Sequence, residues 1–249
     1  MKKFFVAMAA AAVLFSVTAK AADLAVLPVR LNLSTSHDRD AITITNRGLE
    51  NVVMQVETVS WTQVDSHDQY APTKDVLINP PLFTVLPGQS QVLRIGLRKP
   101  PTGSREVAYR VLLREVPPPA GNASADPRAG QANVRLLLQM RLPVYVAPAK
   151  IVQKQQWQGR RSADGSLAVA LTNMGNVHLV VNELRLHASD AAPDAPPLAL
   201  LKTNAAVFSG QSQSWQFRGG EKAIRGQNFK LEVVTDQGPH YVALDLERQ

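Results

Sequence analysis

Cysteine is absent from all 249 residues, so no disulfide can staple the chain and its stability must come from buried cores. Aromatic residues make up only 6% and the basic residues are scattered, which leaves neither the Lys/Arg cluster nor the aromatic-rich basic module that nucleic-acid binding uses. No segment beyond the N-terminus is apolar enough to span a bilayer, and none has the periodicity of an amphipathic helix. Without a helix to open, there is no Gly-rich phosphate loop either. The five histidines, His37, His67, His178, His187 and His240, are widely separated and form no H-E-x-x-H or similar metal spacing. Gly-x-Ser-x-Gly is missing; PGQSQ at 87–91 and SGQSQS at 209–214 are turns between strands, not nucleophile elbows. These absences argue against an enzyme, a metal or other cofactor, and a nucleic-acid partner.

The N-terminus, MKKFFVAMAAAAVLFSVTAKAAD, has two lysines, an apolar run from Phe4 to Phe15 and the small residues Ala19 and Ala21 in A-x-A spacing. This is the pattern of a signal peptide over residues 1–21, cut after Ala21, and its apolar run is too short for a membrane anchor. Removing it takes away three lysines and leaves 24 basic against 20 acidic residues, so the formal charge falls from +7 to +4.

What remains is rich in short apolar runs punctuated by turns. DLAVLPVRLNLS, AITITN, VVMQVETVSW, DVLINPPLFTVLPGQSQVLRIGLR and EVAYRVLLREVPPP lead to NVRLLLQMRLPVYVAP at 133–148. In that last stretch Val134, Leu136, Leu138, Met140, Leu142, Val144 and Val146 form an alternating apolar stripe, which reads as one extended strand. It is longer than a typical strand of ~5 to 6 residues, and Pro143 inside it argues for a sheet edge. A long apolar edge is an aggregation hazard unless something covers it.

Pro148 ends the first series, and the polar IVQKQQWQGRRSADG reads as a hinge into a second one: SLAVALTN, HLVVNELRLHA, AAVFSGQSQSWQF, FKLEVVT and HYVALDL. The expected architecture is all-β, with two immunoglobulin-like β-sandwich domains over residues 22–149 and 150–249. Residues 117–132 and 188–197 have loop composition.

Four stretches of the first half carry a more specific combination: LPVRLNL at 27–33, INPPLFTVLPGQSQVLRIGLR at 78–98, REVAYRVLLREVPPP at 105–119, and the run ending QMRLPVYVAP. In this order, behind a signal peptide, they resemble the chaperone/usher family of periplasmic pilus-assembly chaperones. LTNMGNVH at 171–178 and VVTDQG at 233–238 extend the resemblance more thinly into the second half.

That resemblance implies a boomerang of two immunoglobulin-like domains that works in the periplasm. Its cleft would hold a pilus subunit lacking its last strand and pass it to an outer-membrane usher. Val134, Leu136 and Leu138 match the residues the family inserts into the subunit, and Met140 shares their parity. Arg30 matches the basic residue that grips the subunit's C-terminal carboxylate, a task suited to a planar guanidinium fork. The partner lysine of that pair falls on Pro143, and Arg141, two residues earlier on the same strand face, is the candidate replacement. Glu106 and Asp236 match acidic members of an interdomain ionic cluster whose arginine is replaced by Ala147. Arg94 falls where the family often retains a basic residue. A free chaperone of this kind would be a monomer or a self-capped dimer. The alternative from the same composition is an exported β-sandwich adhesin or structural pilus subunit.

Overall fold

The computed structural model describes residues 23–117, 136–190, 192, 195–218, 229–242 and 244–246. The leader at 1–21, Val134, nearly all of the 117–132 segment and part of 188–197 lie outside the described residues.

Every regular element among the described residues is a strand: β1 (Leu24–Leu27), β2 (Leu31–Leu33), β3 (Arg39–Asn46), β4 (Val52–Val64), β5 (His67–Pro72), β6 (Val76–Asn79), β7 (Leu82–Val85), β8 (Ser90–Leu97), β9 (Val107–Val116), β10 (Gln139–Val146), β11 (Gln155–Arg161), β12 (Leu167–Asn173), β13 (Leu179–Ala188), β14 (Ala199–Val207), β15 (Ser212–Phe217), β16 (Phe229–Thr235), β17 (Gly238–Val242) and β18 (Asp245–Leu246). They make four sheets. One runs β1-β3-β8-β6, and its partner runs β2-β10-β9-β4-β5 with β7 also on β4. The second pair runs β15-β12-β11-β18 and β14-β13-β16-β17.

Period-2 patterning decides which side chains meet between the sheets. In β3, Ile42, Ile44 and Asn46 point inward, and the two isoleucines join Leu31, Met54, Leu93, Val111 and Val144 in one core. In the second half Leu167, Val169 and Leu171 of β12 meet Leu184, Leu186, Leu231 and Val233 in another. The result is two immunoglobulin-like sandwiches, each with its own core.

Three local expectations change. The run DLAVLPVRLNLS is not one strand: β1 pairs with β3 in one sheet, whereas β2 pairs with β10 in the other. Pro28 has no N–H to continue a ladder, and residues 28–30 form the step between sheets. Arg30 therefore sits at a sheet switch, not inside a strand. Second, the long stripe is a strand only from Gln139, with Leu136 to Leu138 outside any regular element ahead of it. Third, the polar segment expected as a hinge contains β11, which lies between β12 and β18. Its Trp157 and Gly159 are buried, while the intervening Gln156, Gln158 and Arg160 are exposed.

Candidate functional site

β10 has two unlike edges. Its whole length from Gln139 to Val146 pairs antiparallel with β9, whereas β2 covers only Val144 to Val146 on the other side. The Glu115 N–H donates to the Leu138 carbonyl at 2.9 Å, so the even-numbered residues turn their backbone groups toward β9. The odd-numbered residues turn theirs away: the Ala147 N–H reaches Leu33 O at 2.8 Å. By the same alternation Gln139, Arg141 and Pro143 present theirs to an edge with no strand partner among the described residues. Pro143 falls where its missing N–H removes no bond to β9.

The apolar stripe fades along this edge. Leu142, Val144 and Val146 belong to the core, Met140 packs against it half-buried, Leu138 is half-buried, and Leu136 is 58% exposed. One periodic pattern thus leaves the sandwich as an apolar ribbon. Its start is pinned by Glu115, which is buried and accepts the Leu138 N–H on Oε2 at 3.0 Å.

At the far end of β10 the opposite, odd-numbered face meets the second sandwich. Tyr145 is buried with Trp61 and Ala108, and Phe208 of the second half packs on this group with its ring 4.6 Å from Trp61. The Tyr145 ring stacks on His178 at 3.5 Å. Burial pushes the Tyr145 hydroxyl up to about 12, with Arg110, Glu106, Arg30 and Asp236 all acting on it.

Glu106 and Asp236 have separate partners. The Glu106 carboxylate accepts the His178 N–H at 3.0 Å and lies 2.7 Å from its Nδ1, closing the junction between the sandwiches. Asp236, on the β16–β17 turn, takes Arg30: Nη1 lies 2.6 Å from Oδ2. Among the described residues this is the only hydrogen bond of the Arg30 side chain. The Arg30 and Asp236 side chains remain 37% and 22% exposed. Leu27 and Val29, on either side of Pro28 just ahead of Arg30 in sequence, are 67% and 62% exposed.

Arg141 is exposed, with its guanidinium 5.7 Å from the centre of the Tyr70 ring. A third arginine went unassigned in the sequence. Arg110 on β9 is registered directly across from Pro143, so the two share a face. Its guanidinium lies 3.5 Å over the Trp61 ring, and its Nη1 donates a long bond to the Arg141 carbonyl at 3.4 Å. Arg110 acts on Tyr145, together with Arg30, and on Tyr70, together with Arg141. It also helps to hold Asp68 low: burial opposes ionisation there, but Trp61, Gln63, Tyr70 and the Arg110 charge outweigh it. The signal in sequence was an arginine in REVAYRVLL on the face opposite the core-facing Tyr109, Val111 and Leu113, legible only once the strand register is known. Arg94 faces outward from β8 and is exposed.

Residues 23–152, more than half of the chain, match the family described as "Pili and flagellar-assembly chaperone, PapD N-terminal domain". No curated protein sequence matches. Among solved structures, the Escherichia coli chaperone DraB is 17% identical with a TM-score of 0.62, covering 92% of this chain and 99% of its own. The CsuC–CsuE chaperone–tip adhesion subunit pre-assembly complex of archaic Csu pili of Acinetobacter baumannii gives 16% and 0.61, covering 91% and 100%. The Salmonella enterica SafA pilin in complex with the SafB chaperone gives 14% and 0.62, covering 91% and 99%. At these identities the likeness is one of fold, over both sandwiches.

Proposed function

We propose, for a chain that belongs to the pili and flagellar-assembly chaperone family, that it is a periplasmic chaperone which holds a pilus subunit by donating the open edge of β10 and then delivers it to an outer-membrane usher. The observation that carries this reading is the edge itself. From Gln139 to Pro143 it has no strand partner among the described residues, and the stripe through Met140, Leu138 and Leu136 passes from core to surface beside it. An incomplete client sandwich could pair its backbone with this edge and take alternate side chains into its groove. Val134, Leu136, Leu138 and Met140 are the inserted residues, and each fully buried side chain contributes about 1.5 to 3 kcal/mol before ordering costs.

Arg30 anchors the client's C-terminal carboxylate, and Arg141 is the second cation. The arginines of the 110–141 face and the exposed Leu27 and Val29 support a site for a terminus that is anionic at its end and apolar before it. Glu106 and Asp236 tie the two units, 22–149 and 150–249, together through His178 and Arg30. The leader over residues 1–21 directs export. No chemistry is needed: the energy for release comes from a better strand replacing β10. The free protein is a monomer or a self-capped dimer.

The test is to express the tagged protein in its own host and identify stoichiometric partners in periplasmic extract by mass spectrometry. A one-to-one complex with a small exported β-rich protein is expected, and Arg30→Ala should lose it while remaining folded. Free protein alone, with pilus subunits present in the same extract, would overturn the reading.

A further inference from the structure

The anchor proposed above is already engaged by a carboxylate of the chain itself. We infer that Asp236 is an intramolecular stand-in for the client's terminus, occupying Arg30 in the free protein and setting how strong a carboxylate must be to enter. This rests on the reading of Arg30 as the anchor and adds the residue that competes for it.

Three observations carry the inference. Asp236 presents the same chemical group as a C-terminus, and Oδ2 sits 2.6 Å from Arg30 Nη1. The group is held in place by its turn: Thr235 is buried, its hydroxyl donates to Gly238 O at 3.0 Å and accepts the Gln237 N–H at 3.2 Å, and the Asp236 N–H reaches Val180 O at 3.3 Å. The competitor is thus preorganised on one sandwich while its target lies at the sheet switch of the other. Third, the pair is single-pointed and open to water, with one hydrogen bond and 37% and 22% of the two side chains exposed. A guanidinium fork can give two parallel bonds to a carboxylate, so an arriving terminus that bonds bidentately, and that is also held by strand pairing to β10, can displace Asp236. A carboxylate without that pairing gains little. Asp236 therefore filters clients: a terminal carboxylate counts only when a strand comes with it.

The exchange moves no covalent bond and no net charge at Arg30. What changes is the Asp236 carboxylate, which loses its ion-pair partner, Arg30, and is left to water.

The experiment uses the full mature protein and a short fluorescent strand-forming peptide of alternating valine and threonine, made with a free C-terminal carboxylate and as the C-terminal amide. Affinities are measured for the wild type, Asp236→Asn, Asp236→Ala and Arg30→Ala. Asp236→Asn and Asp236→Ala should bind the acid about two- to fivefold more tightly than wild type, the scale of an ion pair this exposed, and the amide unchanged. Arg30→Ala should lose most of the preference for acid over amide, with Arg141 the cation left to the terminus. Equal tightening for acid and amide would mean that loss of Asp236 merely opens the junction, and would overturn the inference. If wild type prefers the acid through Arg30 but the Asp236 variants match it, the anchor stands and the competition falls. If no protein prefers the acid, both fall. Thermal melts of each variant verify folding, and two substitutions at Asp236 guard against one that fails to fold.

Discussion

The two sandwiches share one corner almost atom for atom. In the first, β3 ends at Asn46, whose Nδ2 donates to Glu50 O at 2.7 Å and Val85 O at 3.0 Å while Oδ1 accepts the Gly48 N–H. In the second, β12 ends at Asn173, whose Nδ2 donates to Val177 O at 2.8 Å and Val207 O at 2.9 Å while Oδ1 accepts the Gly175 N–H. The following turns agree as well: Gly88 at φ +72° donates to Asn46 O, and Gly210 at φ +77° donates to Asn173 O. Even the flanking hydroxyl pairs repeat, Thr45 with Ser90 and Thr172 with Ser212. What differs lies elsewhere. The first half switches sheets at Pro28 to Arg30 and leaves one edge of β10, from Gln139 to Pro143, without a strand partner among the described residues. The second uses its corner to grip the connection: Met174 N donates to Lys154 O, and Asn176 bonds Ser104 O and Lys150 O. Shared detail marks what any such sandwich needs to fold; function is to be sought where the halves part.

If the corners are equivalent, equal substitutions should have equal effects. Asn46→Ala and Asn173→Ala each remove the partner of two carbonyls and an N–H, all buried at Asn173 and one buried with two half-buried at Asn46, and each should lose ~2–4 kcal/mol in urea denaturation, since an unsatisfied buried polar group is costly. A large effect at only one would show that the likeness is geometric and not energetic. The glycines two residues on should then separate the halves. A Cβ on Gly175 would lie 2.5 Å from Val152 O and 3.0 Å from Lys154 N, both backbone of the connection, whereas one on Gly48 would meet Asn46 Oδ1 at 3.2 Å and the Asp23 backbone N at an ordinary 3.5 Å. Gly175→Ala should therefore lose about 2 kcal/mol and Gly48→Ala less than about 1 kcal/mol in the same assay.

The repeat was legible in the sequence as TNRG at 45–48 and TNMG at 172–175, two copies of a four-residue pattern that strand reading passes over. Alternation revealed the fold class and most strands, because Ile42, Ile44, Val169 and Leu171 each sit on a period-2 face. It missed β5, where all six residues from His67 to Pro72 are exposed and there is no apolar face to see. It also misread β11, whose inward positions are a tryptophan and a glycine among glutamines and arginines. The site was harder. Arg30 stood out as a charge in an apolar run, but that its partner is Asp236, more than two hundred residues away, follows from how the sandwiches meet, and no local pattern carries it. Arg110 needed the register of β9 on β10 before its place opposite Pro143 meant anything.

The smallest effect on stability should be the most informative about β10, because there core and donor positions share one parity. Met140 packs half-buried against the first core, so Met140→Ala should lose about 1 kcal/mol, a fraction of the ~2–5 kcal/mol of a fully buried methionine. Leu136 is 58% exposed and contributes almost nothing to that core, so Leu136→Ala should fall within about 0.5 kcal/mol of wild type. Client recovery should reverse the order. With the full stripe inserted into a partner, Leu136 would be buried in the complex alone, and its truncation should lower client yield from periplasmic extract more than its folding free energy predicts. An exposed leucine whose removal changes neither quantity would place the end of the donated segment after Leu136, and leave Leu138 and Met140 as the part of the stripe that both sandwich and client use.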